Sequence, residues 1–296
     1  MRIGIDLGGT KTEGVLMNRT GNIVERLRTP TPVSEGYEAI LDNIAELAGR
    51  LEATAGGSCR VGIGTPGSIS STSGLLRNSN TVCLNHQPVQ QNLEKRLGRP
   101  VRIANDANCF ALSEAIDGAG EHYDSVFGVI IGTGVGGGIV INRSLHQGRQ
   151  QIAGEWGHNV LDANGPRCYC GHKGCIETFL SGPGLMLAYG NAGGNAATDV
   201  AGLVQAAESG DNTSIEIFEQ YLDRFGQALA MVINILDPDA IVLGGGLSNI
   251  SQLYTEGVKR VAQHTFNDEL LTNILPNKHG DSSGVRGAAW LWGAEE

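Results

Sequence analysis

Apolar and polar residues alternate in short runs along this chain, and glycine-rich turns follow several of the runs. In the first third the alternation predicts strands over 3–7, 13–17 and 23–28. An apolar stripe at helical spacing predicts a helix over 34–51 with Ser34 as its N-cap. The pattern continues with the strands 61–64 and 101–104 and the helices 90–97 and 105–116. This order of elements indicates a mixed α/β fold.

The pattern then restarts with a strand over 126–131, a glycine turn over 132–138 and a second strand over 139–142. A strand, a glycine turn and a strand thus occur twice, which indicates a weak internal duplication. We expect two α/β domains: a small one over 1–120, joined by a C-terminal helix at 283–296, and a larger one over 121–282. Within the larger one, the remaining predictions are the helices 182–192, 198–208, 214–236 and 250–265 and the strands 240–243 and 273–275.

Composition and charge narrow the classes of function. The formal net charge of −10 argues against a general affinity for nucleic acid or for an anionic membrane. Apolar runs stay far below the roughly 20 residues of a membrane span, and a strand-like pattern begins at once, so we expect no signal peptide and a cytoplasmic location. Cys59, Cys83 and Cys109 are scattered in apolar surroundings, which is typical of small buried side chains.

A second set of cysteines lies in the segment 154–177, GEWGHNVLDANGPRCYCGHKGCIE. His158, Cys168, Cys170 and Cys175 make a closed set of four soft ligands, which suits a structural, tetrahedral Zn²⁺ and leaves no open position for catalysis. His172 is an alternative to His158 as the fourth ligand. The metal would then hold the two flanking carboxylates, Glu155 and Glu177, where a polar substrate could meet them.

Three glycine turns follow strands. In the first, the amides of Gly8 and Gly9 can face phosphate oxygens, Thr10 adds a hydroxyl, Lys11 adds a cation, and Asp6 could hold Mg²⁺ through water. A tight hairpin with a surface lysine explains these residues equally well.

The second turn, 132–137, satisfies the pattern G-x-G-x-x-G, but a dinucleotide-binding fold needs a helix next and a strand is predicted here. We therefore interpret it as a hairpin that binds phosphate. The third turn, Gly244–Gly246, could pack against an adenine ring or could simply allow close packing where a helix begins.

Asp106 follows a predicted strand and begins a helix. Strand ends in α/β folds are where catalytic groups collect, so Asp106 could be a general base that accepts a hydroxyl proton during attack on phosphorus. The alternative is that Asp106 or Asn105 only caps the helix.

Together these motifs resemble the ROK family of sugar kinases and sugar-responsive repressors. The matching stretches are DLGGTKT at 6–12, GIGTPGSI at 62–69, ANDANC at 104–109, IIGTGVGGG at 130–138, GEWGH at 154–158, CYCGHKGCIE at 168–177 and DPDAIVLGGGLS at 237–248. The resemblance implies the duplicated actin-like ATPase fold of the hexokinase type (ribonuclease H-like), with two domains and a central cleft.

The resemblance also implies residue roles. It assigns Asp106 as the catalytic base, and it implies ATP with Mg²⁺ as cofactors and structural Zn²⁺ on His158 and the three cysteines. It places the sugar on Gly67, Asn80, Asn105, Asp106, Glu155, His158 and Glu177. It places ATP on Gly4, Ile5, Asp6, Leu7, Gly8, Gly9, Thr10, Lys11, Thr133, Gly134, Val135, Gly136, Gly137, Gly138, Gly244, Gly245 and Gly246.

Within the family the stretches GEWGHN at 154–159 and KHGDSSGVRGAAWLW at 278–292 look most like bacterial fructokinases and mannokinases. We therefore expect an ATP-dependent kinase for the 6-hydroxyl of fructose, with mannose or glucose as further substrates and a homodimer as a possible state. N-acetylglucosamine kinase is the alternative. A sugar-sensing regulator is less expected, because the phosphate turn begins at residue 6 and leaves no room for a helix-turn-helix before it.

Overall fold

A computed structural model describes residues 1–293 of the chain. The predicted C-terminal helix extended to residue 296, and its last three positions lie outside the described residues. The first elements in chain order are β1 (Arg2–Leu7), β2 (Lys11–Met17), β3 (Ile23–Pro30), α1 (Tyr37–Ala55), β4 (Arg60–Thr65), β5 (Ser68–Ile69), β6 (Leu76–Arg77), α2 (Val89–Leu97), β7 (Val101–Asn105) and α3 (Asp106–Ile116).

The later elements include a second run of strands and most of the helices. They are β8 (Ser125–Ile131), β9 (Val135–Ile141), β10 (Ser144–His146), α4 (Ile176–Leu180), α5 (Gly182–Asn191), α6 (Val200–Glu208), α7 (Asn212–Leu236), β11 (Ala240–Gly244), α8 (Glu256–His264), β12 (Asn273–Pro276) and α9 (Ser283–Trp290). Within the described part of the chain, no helix is long and apolar enough to cross a membrane.

Ten of the strands in the described residues form two five-stranded sheets with the same pattern of order, and β5 and β6 form a two-stranded sheet. One runs β3-β2-β1-β4-β7 and the other β10-β9-β8-β11-β12, so each has three consecutive strands followed by strands from later in the chain. In the first sheet β1 pairs antiparallel with β2 and parallel with β4. The repeated order agrees with the duplication that the two glycine turns indicated.

The chain divides into two compact units. The first comprises Met1–Gly128, Gly138–Gly154 and Lys278–Glu296, and the second comprises Val129–Gly137 and Glu155–Asn277. Residues 121–128 and 138–154 were expected in the larger domain, but here they group with the first unit. They do so because they pack closely against α3. A Cβ at Gly128 would lie 2.5 Å from the Ala111 Cβ, and a Cβ at Gly138 would lie 2.8 Å from it. Bare glycine backbone therefore lets this helix lie directly on β8 and β9.

Most predicted elements are present with shifted ends. Ser34 is not the cap of α1, since it lies in a 3-10 turn over Val33–Glu35 and Gly36, at φ 91°, precedes the helix. Strand β9 begins at Val135 and not at 139, because its glycines continue the hairpin ladder. The predicted helix 250–265 is a 3-10 turn over Ser251–Tyr254 followed by α8. The short elements β5, β6, β10 and α4 had no prediction.

The core of the first unit forms between α1 and the first sheet. Ile40, Leu41 and Ile44 of α1 are fully buried with Ile3 and Ile5 of β1. Cys59 and Cys109 are buried as expected, whereas Cys83 is only half-buried. This packing holds the carboxyl ends of β1, β4 and β7, where the predicted site residues of this unit begin.

Candidate active site

The first glycine turn closes the β1–β2 hairpin. The amide of Gly8 donates to the Lys11 carbonyl at 3.0 Å, and Thr31 supports the turn by donating its hydroxyl to the Gly8 carbonyl at 2.7 Å. Gly9, Thr10 and Lys11 are exposed. Their amides, hydroxyl and ammonium group are therefore available to an anion. Thr31 had no signal in the sequence, because it reaches the turn from the end of β3.

The predicted nucleotide set from Gly4 to Lys11 has two different environments. Ile5 and Leu7 are buried in the core, at 0% and 1% exposure. Gly4 lies mid-strand, where a Cβ would clash with the Val285 carbonyl of α9. These three positions are explained by packing, and the exposed part of the turn is what could contact a phosphate.

Asp6 is a partly buried carboxylate at the end of β1. Burial, then the charges of Asp106 and Glu13, raise the pKa of Asp6 to about 6, and Lys11 acts in the opposite direction. Two glycines lie beside it, since a Cβ at Gly284 would be 3.3 Å and a Cβ at Gly64 would be 3.7 Å from an Asp6 carboxylate oxygen. A carboxylate held in this way gains from a nearby cation, which suits the predicted Mg²⁺.

Asp106 stands at the first position of α3. Its carboxylate reaches solvent, yet protein is dense around it, and this desolvation raises its pKa. The amide of Ala107 donates to both Asp106 Oδ1 and Asn105 Oδ1 at 2.8 Å and so opposes the rise. A base with a pKa moved toward neutrality is what proton acceptance from a hydroxyl needs.

Asn105 caps α3 and also contacts the predicted sugar loop. While its Oδ1 accepts from Ala107, its Nδ2 donates to the Gly67 carbonyl at 3.4 Å. Gly67 has φ 86°, and a Cβ there would clash with the Arg77 carbonyl, so only glycine fits. The capping interpretation of Asn105 and its functional one are therefore compatible.

Asn80 is exposed in the loop after β6. The loop is held by Asn85, which accepts from the Ser79 amide at 2.9 Å and donates to the Ser79 carbonyl at 2.8 Å. Asn85 was not predicted, because a side chain that bridges one loop internally leaves no periodic pattern.

The second glycine turn is a hairpin between β8 and β9, as predicted, and a carboxylate braces it. Glu177 Oε2 accepts from the amide of Val135 at 2.9 Å, and a Cβ at Gly134 would lie 2.8 Å from the same oxygen. Thr133 at the tip is exposed. The turn is therefore tied to α4, which begins directly after the last cysteine of the cluster.

The third glycine turn follows β11. Gly245 has φ 82°, and a Cβ there would clash with the Ile131 carbonyl of β8. A 3-10 turn over Gly246–Asn249 follows and not the start of an α-helix. The close approach of Gly245 to β8 accounts for one glycine, and Gly246 has open space around it.

Four predicted metal ligands converge in the second unit. The ligand atoms of His158, Cys168, Cys170 and Cys175 all lie within 4.8 Å of one another. Cys170 Sγ is 3.6 Å from Cys175 Sγ, and Cys168 Sγ is 3.6 Å from His158 Nδ1. Tetrahedral zinc with bonds near 2.3 Å to sulfur separates its ligands by about 3.7 Å, so the residues present fit this ion.

His158 completes this group and His172 does not belong to it. His172 Nδ1 lies 3.4 Å from Cys170 Sγ alone, at the exposed end of the loop. The backbone supports the arrangement by a bridge between Val160 and Cys175 and by a bond from the Cys168 amide to the His172 carbonyl at 2.8 Å.

The ring of His158 has a second partner that the sequence did not predict. Its Nε2 lies 3.0 Å from the hydroxyl of Tyr169, and the two rings meet edge to face. Desolvation of this hydroxyl, then the charge of Glu177, raise the pKa of Tyr169 to about 12, although most of the side chain is exposed. Glu155, the other flanking carboxylate, is exposed and adds to the shift.

Comparison with known proteins decides the family. A model described as "ROK family" matches residues 2–295. The chain belongs to the ROK family. An N-acetyl-D-glucosamine kinase of Pasteurella multocida is 38% identical to it over 305 residues, with 99% of each chain covered.

Solved ROK structures share the fold. A ROK hexokinase from Thermus thermophilus is 31% identical, with a TM-score of 0.88 and coverage of 98% of this chain and 97% of that one. A ROK glucokinase from Streptomyces griseus, solved with glucose and AMPPNP, is 29% identical, with a TM-score of 0.78 and 98% coverage of both. The predicted hexokinase-type actin-like fold is confirmed.

The prediction of an ATP-dependent sugar kinase is also confirmed, and ATP with Mg²⁺ follows from that class of enzyme. Fructose as the first substrate finds no support in these relatives. They favour the alternative, N-acetylglucosamine.

Proposed function

We propose that this ROK family member transfers the γ-phosphoryl group of ATP to the 6-hydroxyl of N-acetylglucosamine. The observation that carries the proposal is the 38% identity, over nearly the whole of both chains, to a protein named for that activity. A location in the cytoplasm and a homodimer belong to the same proposal, as in the sequence-based expectation.

Asp106 accepts the proton of the attacking hydroxyl in this proposal. Its place at the start of α3 and its raised pKa support the role. Asn105, Gly67, Asn80, Glu155, His158 and Glu177 bind the sugar in this proposal. Phosphoryl transfer depends mainly on positioning and charge stabilisation, so these contacts carry much of the catalysis.

The exposed glycine turns bind the nucleotide. Thr10, Lys11 and the amide of Gly9 contact phosphates, whereas the Gly8 amide, predicted to do the same, is bonded to the Lys11 carbonyl within the turn. Thr133 with its neighbouring glycines contacts phosphate from the second turn. Gly246 offers bare backbone to the adenosine. Asp6 would hold Mg²⁺ through water, and the charge of the ion would offset the burial and the negative charges of Asp106 and Glu13 that oppose ionisation of Asp6.

Zinc has a structural role here. When bound by His158, Cys168, Cys170 and Cys175 it cross-links the loop and supplies no open coordination position. The loop then sets the direction of Glu155 at one end, and of Glu177 at the start of α4.

Fructose is the second candidate substrate. The stretches GEWGHN at 154–159 and KHGDSSGVRGAAWLW at 278–292 look like the fructokinase and mannokinase branch, and this resemblance favours it. One acetamido group in place of a hydroxyl is decided by pocket shape, so the two candidates share the mechanism and the named residues.

The test is a coupled ADP-release assay with Mg·ATP on N-acetylglucosamine, fructose, mannose and glucose, with zinc content measured on the same preparation. We expect the highest kcat/KM with N-acetylglucosamine. A higher value with fructose would move the chain to the other branch and keep the mechanism. Absence of turnover with all four sugars, from zinc-loaded protein, would contradict the proposed function.

A further inference from the structure

Tyr169 stands between two of the proposed zinc ligands and bonds to a third. Its neighbours in sequence are Cys168 and Cys170, and its hydroxyl lies 3.0 Å from His158 Nε2. The ring centroids are 5.2 Å apart at an angle of 89°. The side chain is nevertheless 84% exposed, so little packing holds it beyond the contact with His158.

The two nitrogens of His158 face different partners. Nδ1 points to the cysteines, 3.6 Å from Cys168 Sγ, and Nε2 points to Tyr169. When Nδ1 is a metal ligand, Nε2 must carry the hydrogen. This single N–H donates one good hydrogen bond, and the Tyr169 hydroxyl accepts it.

A sugar hydroxyl that binds His158 needs the same N–H. Within the proposed function His158 contacts the sugar, and its only remaining ring position is Nε2. The sugar hydroxyl and the Tyr169 hydroxyl therefore exclude each other. Glu155 and Glu177, which are the other proposed sugar ligands of this unit, flank the same segment of the chain.

We propose that Tyr169 is a placeholder on His158: it occupies Nε2 in the sugar-free protein and leaves when a sugar hydroxyl takes its position. This inference rests on the proposed function, since it requires His158 to bind the sugar. Because the Tyr169 side chain is exposed, its ring can swing outward without loss of core packing.

The placeholder has a physical purpose. A group that hydrogen-bonds to the free ring nitrogen of a metal-bound histidine holds the ring in its ligating orientation. Loss of such a group typically weakens metal binding 10- to 100-fold. Tyr169 supplies this partner while the site is free of sugar, and the sugar supplies it afterwards. The cost is competition, because the sugar must displace a neutral hydrogen bond, which lowers its affinity by a factor of roughly 2 to 10.

The test uses Tyr169→Phe, which keeps the ring and removes only the hydroxyl. The matched control is Tyr37→Phe, since the Tyr37 hydroxyl accepts from Asn92 at 3.0 Å in the unit that does not contain the proposed zinc ligands. Two quantities are measured on zinc-loaded protein without nucleotide: the Kd for N-acetylglucosamine and fructose by calorimetry, and the rate of zinc release to a coloured chelator with and without sugar.

For Tyr169→Phe we expect sugar to bind roughly 2 to 10 times more tightly. We expect zinc to leave the sugar-free variant about 10 times faster than the wild type, and added sugar to restore the wild-type rate. The KM for the sugar should fall with its Kd, whereas the KM for ATP should not follow it. Tyr37→Phe should match the wild type throughout.

Unchanged or weaker sugar binding by Tyr169→Phe overturns the placeholder, and weaker binding would make Tyr169 a direct sugar contact. Zinc release that is equal in variant and wild type overturns it as well. Failure of the proposed function gives a different result, because then the wild type itself binds neither sugar.

Discussion

At the scale of single residues, two carboxylates of the first unit show how neighbours set chemistry. Asp6 and Asp106 each have a raised pKa, mainly because protein removes water from them, and the charge of Asp106 adds to the shift of Asp6. Ionising Asp6 beside the charge of Asp106, with little water around either carboxylate, is costly for the fold. Such a cost is typical of sites that later receive a cation and a reacting hydroxyl.

Asp106→Ala removes the proposed base. We expect turnover to fall by a factor on the order of 10² or more, with sugar binding nearly intact, because a general base acts in the transition state. The measurement is kcat for the best sugar together with its Kd. The exposed Asp42, which pairs with Arg96 on the surface, is the control position, and Asp42→Ala should keep full activity. Near-normal turnover of Asp106→Ala would exclude Asp106 as the base.

Asp6→Asn tests the pH dependence of stability. The folded pKa of Asp6, about 6, lies above the unfolded one of 3.8, so its ionised form destabilises the fold at high pH and this effect disappears as pH falls through 6 toward 4. Asp6→Asn should therefore raise the free energy of unfolding at pH 8, by up to about 3 kcal/mol, and change it little at pH 4. Urea unfolding at both pH values measures this.

Asp117 is the control, because its pKa is lowered whereas that of Asp6 is raised. Burial alone would raise its pKa, but the hydrogen bond from His279 and the charge of Arg286 lower it. Asp117→Asn should therefore lose stability at pH 8. If Asp6→Asn also loses stability there, ionised Asp6 is not a cost to the fold.

At the scale of elements, α9 is held by glycine contacts on several sides. A Cβ at Gly287 would clash with the Cys109 carbonyl of α3, and Cβ atoms at Gly4 and Gly62 would clash with the Val285 and Ala288 carbonyls of α9. The helix thus lies directly against α3 and against β1 and β4. This contact fixes the helix that begins with Asp106.

Gly287→Ala should destabilise the protein by roughly 2–4 kcal/mol, because the new methyl group meets rigid backbone on α3. Gly49→Ala is the matched control. Gly49 lies in α1, where a Cβ has open space, and the substitution should stabilise the helix by roughly 0.5–1 kcal/mol. The urea midpoints of both variants measure the difference. A Gly287→Ala variant as stable as the wild type would show that α3 and α9 can separate without cost.

Cys170→Ala tests the metal segment. Three remaining ligands hold zinc weakly, so we expect the metal content to fall to well below one ion per chain and sugar affinity to fall with it. Elemental analysis measures this. Cys83→Ala, at a half-buried cysteine outside the cluster, should keep its zinc. Full zinc content in Cys170→Ala would overturn the proposed ligand set.

At the scale of the whole molecule, the chain returns to its first unit at residue 278, and a buried carboxylate receives it. Glu114 of α3 is 0% exposed. It accepts from the amides of Lys278 and His279 at 3.0 and 3.3 Å and from the Ser283 hydroxyl at 2.7 Å. The same helix that begins with Asp106 therefore anchors the segment that leads into α9.

Glu114→Gln should destabilise the protein by roughly 2–4 kcal/mol, because one acceptor oxygen becomes an NH₂ group that faces donors in a buried site. Glu121→Gln is the control, since Glu121 meets the Lys278 ammonium in an exposed pair at 3.5 Å, and such pairs contribute at most about 1 kcal/mol. Equal unfolding midpoints for the two variants would contradict a special role of Glu114 in holding the returning chain.

The sequence by itself determined the local structure and the chemistry of the ligands. Strand alternation located the hairpins of the glycine turns, and a strand after the second turn excluded a dinucleotide fold, because these patterns depend only on neighbours in the chain. Spacing and ligand type singled out the zinc candidates in the same way. The ROK motifs then indicated the fold and the sugar-kinase class, which the comparisons confirmed.

Only the tertiary structure decided which distant residues meet. It grouped 138–154 with the first unit, selected His158 over His172 for the ligand cluster, and brought Glu114 to the returning segment. It also placed Tyr169 on His158 and showed that Gly4 and Gly287 are needed for packing. Each of these depends on contacts across many residues of chain. Such contacts leave no periodic signal, because packing and not local preference selects them.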